Sequence, residues 1–168
     1  IIHTSSNYVR ANVDVTDLAA PPRSTMAEYA RSKTAIEVYG FELDRRLRAA
    51  GRATASIMSR PGMAVDARTP SRPGLPRKSR WSEPGWGFLG QSKEHAAWPS
   101  VRAATDPAAQ GGDFYGPART TSGPPVLITP LVRFAAPQDG LADRLWAQSE
   151  ALTGVTLTLS RNDPPRGR

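Results

Sequence analysis

The chain contains no cysteine. That excludes disulfide scaffolds, Cys-ligated zinc, iron–sulfur centres and thiol nucleophiles. It holds two histidines, His3 and His95, too few for a His-rich metal site, so no metal is expected. Aromatic residues make up 7% of the 168 positions. That is lean, yet the length still permits one domain with a buried core. No apolar run approaches the roughly 20 residues of a membrane-spanning helix. The opening string IIHTSS has neither the charged start nor the long apolar stretch of a signal peptide. These absences read as a cytoplasmic protein with no integral membrane segment. The chain opens on a strand-like apolar pair without an initiator Met, and reads as starting within a longer protein.

Proline and arginine are plentiful. Sixteen Pro and 14 Gly stay below the roughly 25–30% that marks low complexity, so Pro-rich loops between compact elements are expected. Lys and Arg number 22 against 15 Asp and Glu, a net charge of +7. Arginines cluster at Arg45, Arg46 and Arg48, at Arg72, Arg77 and Arg80 with Lys78, and at Arg166 and Arg168. A phosphate-binding surface would profit from such clusters. The first trio, however, falls at a helix end, where cations complement the dipole. The last pair lies in a polar tail expected to be disordered. No RNP-type aromatic motif accompanies the charge, and no nucleic-acid partner is expected.

Residues 1–6 read as a strand entering a polar turn, and 7–25 as a loop. Residues 26–50 carry the strongest helical signal. Thr25 and Glu28 have capping-box spacing. Ile36, Gly40, Leu43 and Leu47 share a face, and Gly51 is a natural stop. Residues 53–59 read as a second strand, broken by Pro61-Gly62. Strand, long helix and strand predict a βαβ crossover in an α/β domain with a parallel sheet. Residues 66–91 are irregular but hold Trp81, Trp86, Phe88 and Leu89, which predicts a lid or substrate loop. Ser92–Ala104 read as a helix with a turn or kink at Pro99. Phe114–Pro117 read as a short extended piece or turn, Val126–Leu131 as an edge strand. Asp139–Thr153 read as a last helix, with Asp139 as its cap.

One helical spacing carries chemistry. Tyr29 and Lys33 stand at i and i+4, which puts both on one face. A phenol ordinarily titrates near 10, too high for a base at neutral pH. An ammonium about 4 Å away, at an effective dielectric of about 20, favours phenolate by roughly 4 kcal/mol, or up to about three pK units. Such a pair can exchange a proton with a substrate oxygen. Alone, the spacing also fits a solvated surface pair. Ser5-Ser6 end the preceding strand, and strand ends are where open parallel sheets place ligands. A hydroxyl there can steady charge on that oxygen.

The ordered set TSS, YARSK and SRPG resembles the C-terminal half of a short-chain dehydrogenase/reductase. The likeness is firm over residues 1–66 and weaker through Leu152. The long stretch between Ser6 and Tyr29, with Asn12-Val13-Asp14, resembles the retinol-dehydrogenase and protochlorophyllide-reductase-like branch. The resemblance implies that Tyr29 is the acid/base and that Ser6, with Ser5 beside it, polarises the substrate oxygen. It implies that Lys33 assists Tyr29 and meets the nicotinamide ribose. Pro61, Gly62 and Met63 would border the nicotinamide of NADP or NAD. The family's threonine position holds Asp66, with Thr69 nearest.

No Gly-x-x-x-Gly-x-Gly occurs in the chain. The expectation is a partial Rossmann-like α/β fold, the last parallel strands and helices of a doubly wound sheet, lacking the N-terminal dinucleotide-binding half. Residues 1–154 would form that part and 155–168 a tail. The function implied is hydride transfer between NAD(P) and a carbonyl or alcohol, with a hydrophobic substrate allowed for, and with the truncated chain inactive alone. A non-catalytic interaction protein keeping a relic Tyr–Lys pair is the alternative.

Overall fold

The computed structural model describes residues 1–9, 13–21, 23–65, 70, 73–74, 90–136 and 139–159. Strand β1 (Ile2–Thr4) leads through a loop into the long helix α1 (Thr25–Ala49), which returns to β2 (Ile57–Ser59). Helix α2 (Lys93–Thr105), strands β3 (Phe114–Arg119) and β4 (Ser122–Leu127), a one-turn α3 (Val132–Ala135) and α4 (Leu141–Thr153) follow. The sheet order is β1-β2-β3-β4. The first three strands run parallel, with Ile2 opposite Ile57 and Met58 opposite Phe114.

Strand β4 pairs antiparallel with β3, making the sheet mixed. This hairpin is absent from the sequence reading, which starts the last strand at Val126. Its sequence, SGPPVL, carries two prolines, and proline cannot donate to a ladder. An edge strand tolerates them because one side has no partner strand.

Both sheet faces are covered, as a doubly wound fold requires, and strand alternation decides which residue meets which layer. Met58 and Phe114 point to a core with Val38 and Phe41 of α1 and Leu141 and Leu145 of α4. Their neighbours Ile57 and Tyr115 point the other way, to Ala103 of α2. Ser59 also faces α2, its Oγ 2.8 Å from Ser100 Oγ. Pro99 lies buried inside α2 rather than starting a turn.

Helix α1 is capped differently from its expectation. Ser24, one residue earlier than Thr25, accepts from the Ala27 amide at 3.2 Å. Glu28 pairs with Arg31 at 2.6 Å instead of closing a capping box. The far end behaves as expected. Gly51 has φ 66°, its amide donates to Arg48, and Arg52 donates to Leu47. These two bonds form a Schellman stop. In α4, Gly140 is the cap residue, and Asp139 Oδ1 accepts from Leu141 N at 3.1 Å.

The buried band of α1 is wider than the expected stripe because α1 lies between the sheet and the helices α3 and α4. Glu37, Glu42 and Asp44 are buried within it. Arg45 and Arg46 pair with Glu42, and Arg48 with Asp44 at 2.7 Å. The arginine trio therefore neutralises carboxylates as well as facing the helix C-terminus. Tyr39 stacks on Trp146 of α4, centroids 4.7 Å apart. The Arg46 guanidinium covers the indole at 4.3 Å. Within the stretch expected as a tail, Leu159 packs on Leu43, Leu47 and Trp146.

Gly40 is where α1 comes closest to the sheet. A Cβ there would overlap the Met58 sulfur and stand 3.2 Å from His3 Cδ2. Alanine would gain about 1 kcal/mol in helix propensity. Overpacking a dense core costs about 1–3 kcal/mol, so the clash outweighs the gain. Gly40→Ala should lower the thermal unfolding midpoint, and an unchanged or raised midpoint would show that the helix does not need this contact.

Candidate active site

The end of β1, the first three turns of α1 and the end of β2 converge at the carboxyl edge of the parallel strands. Tyr29 is 40% exposed, and its Oη donates to Ser6 Oγ at 3.2 Å. Ser6 is buried and also accepts from the Tyr8 amide at 3.3 Å. With both acceptor positions engaged, the Ser6 proton is free to reach a substrate oxygen. Ser5, its neighbour on the chain, points inward and donates to Glu37 Oε1. The structure thus separates the two serines that the sequence leaves side by side, and only Ser6 meets Tyr29.

Lys33 is half-buried on the same face of α1. Its Nζ lies 6.0 Å from the Tyr29 ring centroid. It donates to the Thr4 carbonyl at 2.9 Å, leaving further N–H groups on the ammonium. The ammonium is held by the backbone of β1 rather than resting on the phenol oxygen. Tyr29 and Lys33 are therefore brought together as the i, i+4 spacing requires, with β1 as the anchor.

The turn after β2 is shaped by the β3–β4 hairpin. Gly62 has φ 77°, and a Cβ there would fall 2.6 Å from the Thr121 carbonyl oxygen. Met63 N donates to Thr121 O, and Met63 O accepts from Gln91 N. Gln91 Nε2 donates to Pro61 O at 2.8 Å. Met63 thus has its backbone amide engaged within the protein, with its carbonyl and that of Pro61 each accepting one bond from Gln91. Asn7 joins the same node, its Nδ2 donating to Thr120 O at 2.7 Å.

Two cavities flank these residues. One of about 320 Å³ lies between the 13–23 loop and the start of α1, bordered by Asp17, Pro21, Ala27 and Arg31. One of about 650 Å³ lies beside Gln91, His95, Trp98 and Gly123. Ser6, Tyr29 and Lys33 line neither. His95 is exposed, its ring 4.2 Å from that of Trp98. Among the described residues, no group of three or more acidic or histidine side chains is placed to hold a metal ion. No described helix is long and apolar enough to cross a membrane. Asn12, Asp66, Thr69, Arg72, Arg77, Lys78, Arg80, Trp81, Trp86, Phe88, Leu89, Arg166 and Arg168 lie outside the described residues.

Sequence reasoning missed three residues. Tyr8 packs edge-on against Tyr29, centroids 5.7 Å apart, and Asn7 ties the serine turn to the hairpin. Both directly follow the serine pair. Glu37 lies one turn beyond Lys33, and an acid on an otherwise buried helical face is a signal in itself.

The fold and site define a partial Rossmann-like α/β unit with a Tyr–Ser–Lys cluster at its strand ends. No family model matches the chain. It is 32% identical over 156 residues to polyprenol dehydrogenase from Mus musculus, covering 92% of this chain and 43% of that protein. The chain thus spans under half the length of this curated relative. The likeness supports a relationship of the short-chain dehydrogenase/reductase kind. A crystal structure of an uncharacterised protein from Mycobacterium paratuberculosis shares the fold, with a TM-score of 0.63 and 24% identity. That match covers 94% of this chain and 51% of the other.

Burial raises the Glu37 carboxyl above its ordinary 4.5, with the Ser5 and Arg60 hydrogen bonds pulling the other way. Ionisation therefore opposes folding at this residue. Its share of stability is full below about pH 4.5 and is lost as pH climbs through the raised folded value. Glu37→Gln should flatten that limb of the stability–pH curve in chemical denaturation. Parallel curves for the two proteins would refute the assignment.

Proposed function

We propose that this chain supplies the proton-transfer and nicotinamide-facing part of an NAD(P)-dependent oxidoreductase of the short-chain dehydrogenase/reductase type. Its substrate is a carbonyl or the matching alcohol. The hydrogen bond from Tyr29 Oη to Ser6 Oγ, with Lys33 one turn further along, carries this reading. Tyr29 gives its proton to the carbonyl oxygen, or takes it from the alcohol in reverse. Ser6 donates to the same oxygen and steadies the charge that develops there. Lys33 keeps a positive charge beside the phenol and has N–H groups left for ribose hydroxyls.

The residues fit a nicotinamide nucleotide at three points: Lys33, Tyr29 and the turn Pro61–Gly62–Met63. When bound, that group supplies or accepts the hydride. The Met63 amide of that turn is already engaged with Thr121, so it is not the donor to that group. The relative's name supports an apolar, isoprenoid-like alcohol as the substrate class. Exposed Tyr8 and Met26 beside Tyr29 support the same choice. The long Ser6–Tyr29 stretch supports placement in the retinol-dehydrogenase-like branch.

General acid–base groups contribute about 10²–10⁴-fold to rate. In the complete protein, Tyr29→Phe should cut farnesol oxidation with NADP or NAD by that order, read as nicotinamide absorbance. Its circular dichroism should stay unchanged. Undiminished turnover in the variant would remove Tyr29 from the chemistry. The 168-residue chain alone, which has no glycine-rich phosphate turn, should show no saturable NADPH binding at micromolar concentration by fluorescence titration. Tight binding would contradict the division of labour proposed.

A further inference from the structure

We propose that Glu37 and Arg60 form a positioning pair that couples the serine turn after β1 to the Pro-Gly turn after β2. The inference rests on the oxidoreductase reading above and names residues that the reading does not use.

The geometry is specific. Tyr29, Lys33 and Glu37 follow one another at four-residue steps along one face of α1. Tyr29 is open to solvent, whereas Glu37 is fully buried. One oxygen of its carboxylate, Oε1, gathers two donors: Ser5 Oγ and, at 3.1 Å, Arg60 Nη2. Ser5 directly precedes Ser6, and Arg60 directly precedes Pro61. Each donor residue is anchored to the sheet by its own amide, Ser5 to Ser59 O at 2.7 Å and Arg60 to Tyr115 O at 2.8 Å. The Arg60 guanidinium also lies over the Phe114 ring at 4.8 Å. A single oxygen on α1 thus links the substrate-side hydroxyl's neighbour to the cofactor-side turn's neighbour.

Stability alone does not account for this arrangement. Buried ion pairs are often matched or bettered by apolar residues of similar volume. Here the pair leaves Glu37 Oε2 and Arg60 Nε without hydrogen bonds among the described residues, and Thr34 Oγ1 likewise. Unsatisfied buried polar atoms oppose folding. Glu37 and Arg60 instead supply direction, fixing two loops that must face one reacting centre. A misplacement of about 1 Å at such a centre can cost about 10²-fold in rate.

Two measurements test the pair. The first is amide hydrogen exchange on the 168-residue chain. Glu37→Gln, Arg60→Met and Ser5→Ala should each speed exchange at Ser5, Ser6, Gly62 and Met63 about tenfold, leaving the amides of α2 and α4 unchanged. Exchange that is unaltered, or raised throughout the chain, overturns the proposal. The second is a double-mutant cycle in the complete protein with farnesol and NADP. Each single change, E37Q or R60M, should lower kcat about tenfold with KM nearly constant, and the double variant should be no slower than the worse single. Multiplying effects, or unchanged kcat in folded variants, overturn it. Should E37Q fail to fold, Ser5→Ala keeps the ion pair, removes only the link to the serine turn, and must lower kcat by itself. Tyr29→Phe is run alongside. Full turnover in Y29F defeats the oxidoreductase reading and the positioning pair with it. Lost turnover in Y29F with full turnover in E37Q, R60M and S5A defeats the pair alone.

Discussion

The close seat of α1 on the sheet at Gly40 is the constraint on which the rest depends. A glycine in mid-helix is unfavourable by local propensity. It lets the helix axis come near enough for Met58 and His3 to pack directly against the backbone. That approach sets the height of every side chain on the facing side of the helix. Glu37 lands beneath the strand ends, Lys33 beside Thr4, and Tyr29 beside Ser6. A helix seated further out would leave the phenol short of the serine.

The charge at the end of α1 answers to its own helix. The +7 balance invites a search for an anionic partner, yet the arginines that end α1 answer to buried carboxylates on the same helix. Glu42 and Asp44 are four and six residues past Val38, on the buried stretch of the same helix. Burial of an unpaired carboxylate is costly, and a neighbouring arginine offsets it. Arg60 does the same for Glu37 from another element. The basic cluster on α1 is thereby explained by its own surroundings.

The hairpin β3–β4 has an unexpected part in shaping the site. Its turn presents Thr120 and Thr121 carbonyls to Asn7, Gly62 and Met63. The two loops that carry the candidate chemistry are therefore braced from the sheet's far side. Glycine is required at position 62 twice over, by its positive φ and by that brace, since a Cβ there would strike Thr121 O. In the sequence, the same glycine reads only as a turn beside a cofactor. Its relation to the hairpin is invisible because nearly 60 residues separate them.

What the sequence determined by itself is local. Capping, apolar spacing and the Gly51 stop place α1 to within a residue or two. The flanking apolar runs place β1 and β2, and their order predicts a parallel crossover. The i, i+4 rule alone puts Tyr29 and Lys33 on one face, because helical geometry leaves no choice. Tertiary packing decided everything that needs a partner distant in the chain. It turned Ser6 toward Tyr29 and Ser5 toward Glu37, since successive strand-end residues face opposite ways and α1 fills one side with Glu37. It made a β-strand of SGPPVL, since pairing with β3 overrides weak intrinsic preference. It also brought Arg60 to Glu37, a pairing no periodicity announces, because their meeting depends on how closely the helix is pressed to the sheet.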